Sequence, residues 1–154
     1  MNELAAKVIA VLQGKTLCTA ESCTGGGIGE VLTAVPGSSR VFKGGIISYC
    51  NEIKESLLAV PGELLESMGA VCAPVAEAMA RGAREALNAD ISVSVTGLAG
   101  PGGDEFGNPV GTVFIGYSDE NRCFSRQFHF TGDRESVRKQ AIDQALSLIL
   151  EHNR

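Results

Sequence analysis

Histidine is nearly missing from this chain: only His129 and His152 occur, the second close to the C-terminal end. That scarcity argues against a histidine-rich metal site and against a histidine general base, so any nucleophile here needs another activator. No stretch approaches the roughly 18 apolar residues of a membrane span, and the N-terminus lacks a signal-peptide pattern. The five cysteines (Cys18, Cys23, Cys50, Cys72, Cys123) are odd in number and scattered, with no C-x-x-C pair. A disulfide framework or a zinc knuckle needs closer, paired spacing. Positive charge is also short: 13 Lys and Arg stand against 18 Asp and Glu, a formal net charge of −5. Nucleic-acid and anionic-membrane surfaces want clustered Lys and Arg, so neither partner is expected. These absences predict a cytoplasmic protein with no metal and no other cofactor.

With 44% hydrophobic and 20% charged residues over 154 positions, residues 1–154 read as a single domain able to bury a real core. Leu4, Ala5, Val8, Ile9 and Leu12 mark an amphipathic helix over 2–13, closed by Gly14. A strand is predicted over 16–20 and a helix from Gly26 to about Ala34, followed by a turn at Pro36–Ser39. A second strand spans 43–50. Asn51 is placed as the cap of a short helix over 52–58, and Pro61 starts another that Gly69 closes. A longer helix covers 74–87, with Pro74 tolerated in its first turn. Residues 90–97 alternate strictly and give a third strand, leading into the glycine-dense loop Gly100–Gly103. The runs 110–117 and 123–130 form a hairpin, and a terminal helix fills 134–152. The expected fold is a three-layer α/β/α sandwich with a five-stranded mixed sheet in which one strand, the first of the hairpin, is antiparallel to the rest.

Ligands on such sheets bind outside the carboxyl ends of the parallel strands. Those ends are Glu21-Ser22, Tyr49–Asn51 and Thr96-Gly97. Ser22 and Thr24 precede a helix, where hydroxyls lie beside backbone donors; either is a candidate nucleophile or simply an N-cap. Serine needs a base, and with histidine scarce the bases on offer are Lys54 and Tyr49. Cys23 is a rival nucleophile, although a side chain one residue on points about 100° away around a helix. Glu21 can orient Lys54, bind a ligand or cap the helix. The Gly100–Gly103 loop offers unobstructed N–H groups to an anion, and Arg134 offers a guanidinium fork to a phosphate or carboxylate.

Thr19-Ala20-Glu21-Ser22-Cys23-Thr24-Gly25-Gly26, Pro36-Gly37-Ser38-Ser39, Ser48-Tyr49-Cys50-Asn51-Glu52-Ile53-Lys54, Thr96-Gly97-Leu98-Ala99-Gly100-Pro101-Gly102-Gly103 and Gly132-Asp133-Arg134 together resemble the CinA C-terminal domain family. The characterised activity of that family is nicotinamide-nucleotide amidohydrolase. The resemblance implies metal-free hydrolysis of nicotinamide mononucleotide to nicotinate mononucleotide and ammonia, in pyridine-nucleotide recycling. It implies Ser22 as nucleophile, with Tyr49 and Lys54 moving the proton and backbone N–H groups at the following helix start forming an oxyanion hole. Glu21, Thr24, Gly25, Thr96, Gly97, Gly100, Gly102 and Arg134 are the implied substrate contacts, Arg134 on phosphate. Cys50, Cys72 and Asn108 depart from the residues more usual in the family. Small domains of this kind often pair, so a homodimer is admitted.

Overall fold

The computed structural model describes residues 2–154. The elements follow in the order α1 (Glu3–Val11), β1 (Leu17–Glu21), α2 (Gly27–Thr33), β2 (Phe42–Ile47), α3 (Asn51–Leu58), α4 (Gly62–Met68), α5 (Ala73–Leu87), β3 (Ile91–Gly97), β4 (Thr112–Ser118), β5 (Cys123–His129) and α6 (Arg134–His152). A short 3-10 helix, Ser38–Arg40, occupies the predicted turn after α2.

One five-stranded sheet runs in the order β2-β1-β3-β4-β5. β1 pairs in parallel with β2 and β3, while β4 runs antiparallel to β3 and to β5. Only β4 therefore opposes the others, as the sequence predicts. The alternation of β3 separates two cores rather than core from solvent. Val93 and Val95 join Leu17, Ile28, Leu146 and Ile149 beneath α1, α2 and α6. On the opposite face Cys18 and Ala20 of β1 pack with Leu58, Val75, Met79 and Ala83 of α3 and α5. Ser94 of β3 on that face meets helix backbone instead of water: its Oγ donates to Ala76 O at 2.6 Å. α5 crosses β4 so closely that a Cβ at Gly116 would collide with the Ala76 carbonyl. Glycine there is a condition of the packing.

Most boundaries shift by a residue or two from the sequence reading, and two of the differences bear on the site. β2 stops at Ile47, three residues early, because the Ser48 and Tyr49 carbonyls turn toward Lys54 instead of extending the ladder. Asn51 is the first residue of α3 and makes no cap; Cys50 holds the N-cap position. No helix is long and apolar enough to cross a membrane among the described residues.

Candidate active site

The carboxyl ends of β1, β2 and β3 meet at one edge. Ser22 N donates to Val95 O at 3.0 Å and Ser48 N donates to Glu21 O at 2.8 Å, so both parallel ladders persist one step past the strands. That step holds Ser22 between Ser48 and Thr96 in one row across the sheet.

Lys54, in the first turns of α3, closes over this row and is 1% exposed. Its Nζ donates to Ser22 Oγ at 3.1 Å, to Ser48 O at 2.7 Å and, more loosely, to Tyr49 O at 3.4 Å. Its neighbours are thus a hydroxyl and two carbonyls; neither ion pair found among the described residues involves it. Burial without a carboxylate disfavours the ammonium and pushes its pKa below the ordinary lysine value, with the nearby Cys50 and Cys23 thiols opposing the shift. If Lys54 loses a proton, two N–H groups can stay on the carbonyls and the lone pair faces Ser22.

The turn after Ser22 is built on a buried carboxylate. Glu21 Oε1 accepts from Thr24 Oγ1 at 2.8 Å and from Ile28 N at 2.9 Å; Oε2 accepts from Gly29 N at 3.1 Å and Thr19 Oγ1 at 3.2 Å. Glu21 therefore takes the helix-capping alternative, and neither it nor Thr24 presents its side chain to the cleft. This also moves the expected oxyanion donors: at the start of α2 the Gly27 N–H is occupied by Thr24 O and those of Ile28 and Gly29 by Glu21. Those of Cys23 and Thr24 carry no partner among the described residues. Arg138 aims one of them. Its Nε donates to Cys23 O at 3.0 Å and its Nη2 to Thr24 O at 3.1 Å. Cys23 C=O and Thr24 N–H belong to one trans peptide plane, so holding the carbonyl toward α6 points the N–H the opposite way. Gly25 adopts φ +59 and lies against the same guanidinium, with 3.5 Å between a would-be Cβ and Arg138 Nη2.

A cleft of about 270 Å³ opens beside Ser22, Lys54, Tyr49, Thr96, Gly97 and Arg134. Tyr49 is 62% exposed at its mouth, and its hydroxyl accepts from Arg134 Nη2 at 3.1 Å. Its carbonyl, not its phenol, is what reaches Lys54. Arg134 Nη1 donates to Gly100 O at 2.6 Å, so Arg134 ties the glycine loop to the mouth. Thr96 Oγ1 donates to Ala70 O at 2.8 Å. Gly100 meets the site through Arg134, and Gly102 lies outside the cleft wall. Asn108 braces that loop, donating to Asp104 Oδ2 at 2.8 Å and Val71 O at 3.2 Å.

Cys23 is buried in the core, which raises its thiol to about 11 and keeps it protonated at neutral pH. Ser22, not Cys23, is the group Lys54 touches. The sequence reading missed Arg138, although it stands one helical turn after Arg134 on α6. It also missed Asn51, which lines the cleft. No group of three His, Cys, Asp or Glu side chains able to hold a metal ion occurs among the described residues.

Fold and site together define a three-layer α/β domain that sets a serine–lysine pair at the carboxyl edge of its parallel strands. Residues 1–152 match the CinA C-terminal domain. The chain belongs to that family. It is 49% identical over 133 residues to the nicotinamide-nucleotide amidohydrolase PncC of Pseudomonas putida, covering 86% of this chain and 83% of that protein. A CinA-like protein of Parasynechococcus marenigrum is 54% identical over 94% of this chain, which spans only 36% of that relative's length. Among solved structures, the competence/damage-inducible protein CihA of Agrobacterium tumefaciens superposes with TM-score 0.95 at 36% identity, over 99% of this chain and 94% of that one. A CinA-superfamily protein of Escherichia coli gives 0.91 at 35% identity, over 97% and 88% of the two chains.

Proposed function

We propose that this chain hydrolyses the carboxamide of nicotinamide mononucleotide to nicotinate mononucleotide and ammonia, with Ser22 as nucleophile and Lys54 as its base. The observation that carries the reading is the buried Lys54 Nζ at 3.1 Å from Ser22 Oγ, with no acidic partner. The named amidohydrolase among its relatives supports the substrate.

In this mechanism neutral Lys54 takes the Ser22 hydroxyl proton while Oγ bonds to the amide carbon and the C=O electron pair moves onto oxygen. The free N–H groups of Cys23 and Thr24 stabilise that oxyanion, a donor of this kind contributing roughly 3 kcal/mol. Lys54 returns the proton to the amide nitrogen as the C–N bond breaks, and ammonia leaves an ester on Ser22. Water, deprotonated by the same lysine, then releases the acid. Arg134 keeps N–H groups beyond its bonds to Gly100 and Tyr49, and these receive the phosphate at the cleft mouth. The pyridine-nucleotide cycle is the setting in which this reaction recycles NAD precursors.

Ammonia release from nicotinamide mononucleotide tests the reading. Wild type is expected to be active and Ser22→Ala inactive. Arg134→Ala is expected to raise KM for the mononucleotide about tenfold or more while changing little for the dephosphorylated nucleoside. Binding without turnover by wild type would make this a nucleotide-binding domain. Equal use of mononucleotide and nucleoside would make it an amidase for another small amide.

A further inference from the structure

Ser48 is fully buried, and its Oγ has no hydrogen-bond partner. The rest of the residue is engaged: Ser48 N donates to Glu21 O at 2.8 Å, and Ser48 O accepts from Lys54 Nζ at 2.7 Å. A buried hydroxyl left unpaired is disfavoured, and an alanine there would lose nothing the fold uses. Such an orphan beside reactive groups points to a partner acquired during function.

The sheet register says which partner. Glu21 pairs with Ile47, so the next step sets Ser22 beside Ser48 on neighbouring parallel strands, about 4.8 Å apart. Strand alternation then gives the two serines one face. Cys18 and Ala20 of β1 and Ile46 of β2 lie on the α3–α5 side of the sheet, and both serines continue those rows two residues on. Lys54 descends from α3 onto that same face. The register therefore places the Ser48 side chain on the face of the sheet that carries Ser22 and Lys54. Ser48 takes no part in the cleft wall, so it does not meet substrate.

We propose that Ser48 is a positioning residue for the base: its hydroxyl oxygen accepts from the Lys54 ammonium once Lys54 has taken the Ser22 proton. In the resting site one ammonium N–H rests on Ser22 Oγ. When Oγ bonds to the amide carbon it becomes a poor acceptor, and that N–H needs another. A rotation of Ser48 about χ1 supplies it from within the residue whose carbonyl already holds Lys54. The proton stays on Lys54 until the amide nitrogen receives it, so Ser48 neither gains nor loses a proton. The inference rests on the serine–lysine reading above.

The test uses Ser48→Ala and Ser48→Thr. Folding is checked first by thermal melting, where Ser48→Ala is expected to be no less stable than wild type. The acidic limb of the pH profile of kcat/KM for nicotinamide mononucleotide is expected to stay in place in Ser48→Ala, because the Ser48 hydroxyl holds no bond to Lys54 in the free enzyme. kcat is expected to fall about tenfold, and Ser48→Thr is expected to restore it. The Nζ titration of Lys54 is then followed directly by NMR on lysine-labelled protein whose Ser22 Oγ has been blocked with a serine-directed sulfonyl fluoride, so that Oγ is bonded as in the ester. Titratable or charged groups facing Lys54 are Cys23, Cys50, Tyr49 and, at the mouth, Arg134, none altered by these variants. A lower Lys54 titration in Ser48→Ala supports the assignment even if the mononucleotide is not hydrolysed, an outcome that would sink the amidohydrolase reading alone. Identical Lys54 titration in blocked wild type and blocked Ser48→Ala overturns it, however active the enzyme.

Discussion

Lys54 Nζ and Ser22 Oγ, 32 residues apart in sequence, sit 3.1 Å from each other in a pocket where no carboxylate answers the ammonium. A base so placed has to release its proton to work. Lys54→Arg keeps positive charge and donors, but a guanidinium stays protonated. Ammonia release by Lys54→Arg is expected to fall at least about a thousandfold. Calorimetric binding of the mononucleotide should persist in the same variant. Residual activity near wild type would show that Lys54 holds Ser22 without deprotonating it.

The same burial makes stability depend on pH in a set direction. The folded-state pKa of Lys54 lies below that of the unfolded chain. Between the two values the unfolded state holds the extra proton, so this lysine's contribution to stability rises with pH across that window. Below the window it is a standing penalty. Cys18 and Cys23, raised from 9.0 to about 11, act oppositely above pH 9. Cys18 contributes equally in Lys54→Met, and Cys23 nearly so, since burial dominates its shift and Lys54 is a lesser influence on it. The melting temperature of wild type minus that of Lys54→Met is therefore expected to increase from pH 6 toward pH 10. A flat or falling difference would contradict the desolvated ammonium.

Glu21 holds two hydroxyls and two backbone N–H groups with two oxygens. Glu21→Gln turns one of those oxygens into a donor facing donors. Denaturant unfolding is expected to show a loss of about 1–3 kcal/mol. An unchanged midpoint would mean the turn finds other acceptors.

Arg138 is expected to separate catalysis from stability. Its bonds to the Cys23 and Thr24 carbonyls orient the turn carrying the proposed oxyanion donors. Arg138→Lys cannot span both carbonyls with a fork. kcat should fall about tenfold to a hundredfold with KM little changed. A rise in KM at constant kcat would assign Arg138 to substrate binding instead.

Much of this arrangement was legible in the chain. The β-branched alternation of Ile91 to Val95 and the helical spacing of Val137, Ala141, Ala145 and Leu148 located elements whose two faces the tertiary structure then filled. The topology rule brought Ser22, Tyr49 and Thr96 to one edge. Partner choice was not legible. Tyr49 and Lys54 are five residues apart, yet the phenol bonds Arg134 and only the carbonyl reaches Lys54. Glu21 looked as available as any carboxylate until four local donors enclosed it. The apolar stripe of α6 hid Arg138, because a hydrophobic pattern records what a helix buries in the core and not what its polar residues clasp.

Arg138 also sets a time of completion. Ser22 leaves the ribosome early in synthesis, but the side chain that aims its neighbouring N–H follows the Cys23 carbonyl by 115 residues. Until α6 has been made and has docked, Ser22 is present without the guanidinium that orients the Cys23–Thr24 peptide. A chain clipped before α6 loses Arg138 together with the apolar face that fills the core beneath α1 and α2, so the aim of the Ser22 turn and the fold around it are lost at once.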